Sequence, residues 1–217
     1  MQVYDKSLGE RRSMPRVATS SKQKVVTELR RSEILTAATK VFGNKGFDAT
    51  RMEEIAKAAG LAKGTLYLYF RSKDDIYQAA VLQAISEVDE LTQKHVLNEP
   101  HFAGKYAAFI RVRIAFWQEQ HVLYRLILSM SRAPQYRKKS IGWQRQSVLY
   151  LAGLLSAGAD VGEIPQQDFV ATAWATSDAI RGVNERRVFA DANARSVEED
   201  TQFLTNFLLD AVRARRP

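Results

Sequence analysis

Residues 50–70, TRMEEIAKAAGLAKGTLYLYF, carry two short helical patterns with only a few residues between them. Thr50 followed by Glu53 has the form of a capping box, in which the threonine oxygen accepts a free backbone N–H and the glutamate reaches back to the cap, so the spacing predicts a helix from 50–51. Ile55, Ala56 and Ala59 supply its inner face, Gly60 stops it, and Leu61 seals the turn. The second helix, expected over about 63–69, buries Leu66 and Phe70 one turn apart and leaves Lys63, Gly64, Thr65, Tyr67 and Leu68 on its other side. Two short helices joined by a tight glycine turn and braced by a preceding helix form a helix-turn-helix, whose second helix is small enough to enter a DNA major groove. Gly64 would let the backbone come close to DNA, while Lys63 and the free N–H groups of the helix start offer positive potential to a phosphate. Leu66 and Phe70 already fill the inner face, which frees Tyr67 and Tyr69 to point elsewhere. Leu68 is open to two readings, contact with a thymine methyl or plain exposure.

The flanking sequence is helical too. Ile34, Leu35, Ala38, Val41 and Phe42 recur at three- and four-residue steps, drawing one apolar stripe over about 28–45. Its end is written in NKGF, where Gly46 can take the left-handed conformation and Phe47 can fold back onto the last turn. Ser72 and Asp75 repeat the capping logic ahead of a long helix with the stripe Ile76, Ala80, Ala84, Val88 and Leu91. Phe102, Tyr106, Phe109, Arg113 and Phe116/Trp117 share a further helical face, and more helices are expected at about 120–132, 137–158, 165–189 and 197–214, punctuated by Pro100, Pro134 and Pro165. Strand alternation is nearly absent. The expected fold is all-α, with a three-helix DNA-binding domain over 28–75, a larger helical domain over 76–217, and a basic, flexible arm over 1–27.

Charge agrees with a polyanionic partner. Of the formal net charge of +8, +6 lies in the residues through Asp75, where fifteen Lys/Arg face nine Asp/Glu. The longest mostly apolar stretch, VLYLAGLLSAGA (148–159), is too short to span a bilayer, and the polar, basic N-terminus has no apolar segment of a secretory signal, so a cytoplasmic protein without a membrane partner is expected. With no cysteine there is no thiolate metal site or cysteine nucleophile. His95, His101 and His121 are too scattered for a metal set, and no nucleophile elbow, phosphate loop or dinucleotide fingerprint is present. Neither a cofactor nor catalysis is expected.

TRMEEIAKAAGLAKGTLYLYFRSKDDIY, with FGNKGF ahead of it, resembles the DNA-binding signature of the TetR family of bacterial transcriptional regulators over about residues 30–77. Beyond Asp75 the resemblance rests on helix lengths and chain length alone. Ala62 departs from the serine that often caps the recognition helix in the family. The resemblance implies a homodimer that represses transcription from double-stranded operator DNA until a small effector binds. It places Thr50, Lys63, Gly64, Thr65, Tyr67, Leu68, Tyr69 and Lys73 at the DNA, with Thr50, Tyr69 and Lys73 on phosphates. Some subset of Tyr106, Phe109, Arg113, Trp117, Tyr124, Trp143, Trp174 and Asp178 would line an effector cavity suited to an apolar or aromatic ligand. The last two helices, through Phe169, Ala173, Ile180, Phe203, Phe207 and Leu208, would form the dimer interface, although the same stripes could pack within the chain. An effector-independent regulator or activator is the alternative.

Overall fold

The computed structural model describes residues 21–189 and 195–214. Among these, the chain forms α1 (Ser21–Lys45), α2 (Met52–Ala58), α3 (Lys63–Tyr69), α4 (Lys73–Leu97), α5 (Phe102–Glu119), α6 (His121–Met130), α7 (Pro134–Asp160), α8 (Phe169–Val188) and α9 (Val197–Arg213), with no strand. The first helix thus starts seven residues before the expected position 28. Of the arm expected over 1–27, residues 21–27 are helical, and 1–20 lie outside the described residues. No helix among the described residues is long and apolar enough to cross a membrane.

Two cores organise the helices. In the first, Ile34, Phe42, Ile55, Leu66, Phe70, Ile76 and Tyr77 join α1–α4, and the same cluster continues through Val112, Leu126 and Tyr136 of α5, α6 and α7. The second gathers Tyr106, Phe109, Leu151, Leu155, Ala173 and Leu204 from α5, α7, α8 and α9. The expected division at 75/76 falls at the start of α4, and α4 serves both sides of it. Ile76 and Tyr77 sit under the helix-turn-helix, whereas Val88 and Val96 lie farther along. The middle helix, α5, buries side chains all around, including Phe102, Tyr106, Ile110 and Ile114, because α4, α7, α8 and α9 surround it. Against α1, α6 packs closely: a Cβ on Gly43 would clash with the Val122 side chain.

Candidate functional site

At the helix-turn-helix, Gly60 adopts φ 67°, and the Leu61 N–H reaches the Ala56 carbonyl at 2.8 Å, closing α2 with a Schellman turn. Gly46 ends α1 in the same left-handed region at φ 82°, and Phe47 folds back on Phe42 with ring centroids 5.3 Å apart, as its position suggested. Leu66 is fully buried and Phe70 nearly so. Opposite them, Leu68 is 83% and Tyr67 44% exposed, Lys63 and Gly64 are exposed, and Thr65 and Tyr69 are half-buried. A Cβ on Gly64 would meet nothing within 4 Å, so the fold does not require a glycine there. Lys63 pairs with Glu53 of α2, and that contact holds the ammonium above and the carboxyl below their ordinary ranges.

Two expectations at this site are corrected. Thr50 is only 2% exposed, and its hydroxyl donates to the Gly46 carbonyl at 2.7 Å, so it neither caps α2 nor presents the hydroxyl to a phosphate. The cap falls one residue later, at Arg51, whose backbone N–H is held by Glu54 rather than Glu53 at 2.9 Å. Lys73, expected on a phosphate, instead points inward. Its ammonium donates to the carbonyls of Phe47 at 2.9 Å and Asp48 at 3.0 Å, with the Phe47 ring centroid 4.7 Å away. Ser72 does cap α4, accepting from the Asp75 N–H at 3.1 Å.

A second strut had no signal in the sequence. Arg31 of α1 donates to the Tyr69 carbonyl at 2.9 Å and lies 4.3 Å from the Phe70 ring centroid. The contact spans 38 positions and is invisible to any local pattern. Arg31 thus holds the end of α3 against α1 through a backbone atom.

The larger region encloses a cavity of about 290 Å³ between α4, α5, α6, α7 and α8, lined by Val88, Trp117, Tyr124, Trp143 and Ile180 among others. Trp117 and Tyr124 stand 5.1 Å apart at their centroids and form one aromatic wall. Arg113 also lines the cavity, but its guanidinium is already engaged. It binds Asp89 at 2.6 Å, Thr92 and Ser147, and stacks on Phe109 at 3.8 Å. Burial pulls Arg113 down to about 10 against the opposing pull of Asp89, and burial likewise raises the Asp89 carboxyl.

The remaining expected cavity residues are elsewhere. Tyr106 and Phe109 are fully buried in the second core, where the Tyr106 hydroxyl meets Thr176 Oγ1 at 2.6 Å. Trp174 packs at the edge of that core, and Asp178 is exposed and paired with Arg181 at 2.9 Å. The wall they were expected to make is supplied by the 177–184 face of α8.

The apolar stripe of α8 is corrected in the same way. Ala173 lies in the second core with Leu208 of α9, Phe169 packs against it, and Ile180 belongs both to that core and to the cavity wall. These four side chains face the protein's own interior. Phe203 and Phe207 face outward, 58% and 61% exposed, stacked with centroids 6.2 Å apart.

Comparison with known proteins agrees with this architecture. The sequence pattern of the bacterial regulatory proteins, tetR family, matches residues 34–80, from the core of α1 to the first turns of α4. The chain belongs to the tetR family. It is similar to the fatty acid metabolism regulator protein of Bacillus subtilis, 27% identical over 137 residues, which is 62% of this chain and 70% of that protein. It also resembles the HTH-type transcriptional activator FasR of Mycolicibacterium smegmatis, 28% identical over 120 residues, 54% of this chain and 55% of the relative. Among solved structures, a tetR-family transcriptional regulator from Mesorhizobium loti superposes with a TM-score of 0.71 at 25% identity, covering 86% of this chain and 96% of that one. As a tetR-family member, the protein is a transcriptional regulator with a helix-turn-helix; the relatives it matches are regulators rather than enzymes.

Proposed function

We propose that the protein is a ligand-responsive repressor that binds operator DNA as a homodimer and is released by a small molecule held in the cavity. Lys63, Gly64, Thr65, Tyr67 and Leu68 read the major groove, and Tyr69 sits at its edge. Residues 28–75 carry the reading head, and residues 76–217 carry the effector cavity and the dimer contact.

One observation carries this reading. A single helix, α4, contributes Ile76 and Tyr77 to the core beneath the helix-turn-helix and Val81, Ile85, Val88 and Asp89 to the cavity wall. Trp143 of the cavity wall meets Tyr77 edge to face at 6.5 Å, and Tyr77 in turn meets Phe47, ahead of α2, at 5.8 Å. A ligand that displaces Trp143 or tilts α4 therefore acts on the placement of α2 and α3. Because a two-fold dimer must insert its two recognition helices about 34–36 Å apart, a small tilt in each half spoils the fit. A tenfold loss of operator affinity needs only about 1.4 kcal/mol of preference of the ligand for the tilted state.

The dimer contact is assigned to the outward side of α8 and α9. Phe203 and Phe207 are exposed on α9, and Val170 and Phe189, at the two ends of α8, are exposed as well. Large apolar side chains left exposed on these two helices support a partner surface.

The test begins with DNA from the promoter regions next to the gene. Molecules that raise the melting temperature of the protein in a thermal-shift screen are added to the protein–DNA complex, and release is followed by fluorescence anisotropy. Stabilising molecules that leave DNA affinity unchanged would remove the effector from this reading. Transcript levels that fall in a deletion strain would make the protein an activator.

A further inference from the structure

Asn184 is buried, with 4% of its surface exposed, and lines the cavity, yet its side-chain amide has no hydrogen-bond partner among the described residues. Its polar atoms are not sealed in the interior, unlike Thr201 Oγ1 and Thr205 Oγ1, so the amide opens on the cavity space and is available to a ligand. Its position is not accidental in the helix. Ser177, Ile180, Arg181 and Asn184 follow one another at three- and four-residue steps, so α8 turns one face to the cavity and Asn184 stands on it.

The charges around the cavity point away from an ionic ligand. Arg113, the buried cation, already has Asp89, Thr92 and Ser147 as partners, and an added carboxylate would have to displace Asp89. Arg181, half exposed at the cavity edge, already has Asp178 as its partner. Arg132 and Glu185 are exposed and of opposite sign, so the rim offers no consistent field to either charge. What is left inside is aromatic surface from Trp117, Tyr124 and Trp143 together with uncharged polar groups, the carboxamides of Asn184 and Gln144 and the hydroxyls of Ser140 and Ser177, of which Asn184 is the most deeply buried.

We infer that the cavity takes an uncharged, flat ligand bearing a carboxamide or lactam-like group, and that Asn184 pairs with that group as both donor and acceptor. This rests on the proposed role of the cavity as the effector site and gives that site its chemical class. An amide ligand satisfies both sides of Asn184 at once, whereas a carboxylate satisfies only its N–H₂ and leaves its own charge unmatched.

The experiment uses two isosteric probes, indole-3-carboxamide and indole-3-carboxylate, titrated calorimetrically into the full-length protein and into Asn184→Leu at neutral pH. Operator release is measured alongside. The amide is expected to bind the unmodified protein at least tenfold more tightly than the carboxylate. Asn184→Leu is expected to erase that preference while keeping the melting temperature, because no side-chain hydrogen bond of the described residues is lost with it. The inference is overturned if the carboxylate binds as tightly, if neither probe gives a saturable signal, if Asn184→Leu keeps the full preference, or if it melts several degrees earlier, which would mark Asn184 as a structural group. A preferred carboxylate that releases DNA leaves effector control standing and removes only the chemical class. A preferred amide that leaves DNA bound does the reverse.

Discussion

The ammonium of Lys73 stands 2.9 Å from the carbonyl oxygen of Phe47, at the first turn of α4 and the chain just past α1. With the Asp48 carbonyl at 3.0 Å, this lysine ties together the segment that leads into α2. Lys73→Ala is expected to lower both thermal stability and operator affinity, by about 1–3 kcal/mol, the cost of leaving carbonyls without a charged donor. The salt dependence separates this from a phosphate contact. Losing a phosphate contact would flatten the slope of log affinity against log salt by about one unit. Here the slope is expected to stay unchanged, and a flattened one would return Lys73 to the DNA.

Gly64 has open space around it inside the protein. Gly64→Ala is therefore expected to hold or raise stability, by about 0.5–1 kcal/mol from helix propensity alone. If the groove lies against this backbone, the added methyl cuts operator affinity at least tenfold. Denaturation and anisotropy on the same preparation decide it, since unchanged DNA binding would move α3 away from close contact.

Phe207 lies on the outer side of α9 and is 61% exposed, so Phe207→Asp should leave the monomer folded. In the proposed interface the same change buries an unpaired carboxylate and costs several kcal/mol. Sedimentation is expected to show a folded monomer that no longer binds operator at concentrations where the unmodified protein does. Leu208→Asp should behave differently. Its side chain is buried in the second core, and the variant is expected to unfold.

Alkaline pH supplies a test of the cores. Burial raises the phenols of Tyr106 and Tyr77 to about 12, and pushes Tyr124 upward as well. An unfolded chain ionises its tyrosines near pH 10, whereas the folded one keeps these protonated. Stability from each is thus complete below about 10 and lost as pH rises toward 12, at up to about 1.4 kcal/mol per pH unit. Tyr106→Phe should flatten the fall of the melting temperature over this range. Thr176 does not lose its partner in that variant, because its hydroxyl already donates to the Thr172 carbonyl at 2.9 Å.

Local patterns carried most of the architecture. The spacing of Leu66 and Phe70 located the buried side of α3, and the glycines at 46 and 60 located the ends of α1 and α2, because those effects act within one or two turns. Thr50 escaped because its hydroxyl reaches back across the turn to Gly46, a choice between two nearby acceptors and donors that composition does not reveal. Periodicity located the apolar stripe of α8 correctly but named the wrong neighbour for it. A stripe records that a face is covered, and Ala173 and Ile180 are covered by the chain's own helices. The contacts of Lys73 and Arg31 depend on residues brought near by folding, and no spacing along the chain encodes them.

Arg31 grips α3 by the carbonyl of Tyr69, an atom that every amino acid possesses. Leu66 and Phe70 seat the helix from below, and no exposed side chain of α3 is needed for either hold. Positions 65, 67 and 68, proposed to face the groove, can therefore be exchanged without rebuilding the frame that presents them. Sequence preference in this protein is then a nearly independent variable: DNA recognition can be rewritten, by mutation or by design, while the packing that sets stability and shapes the cavity is inherited unchanged.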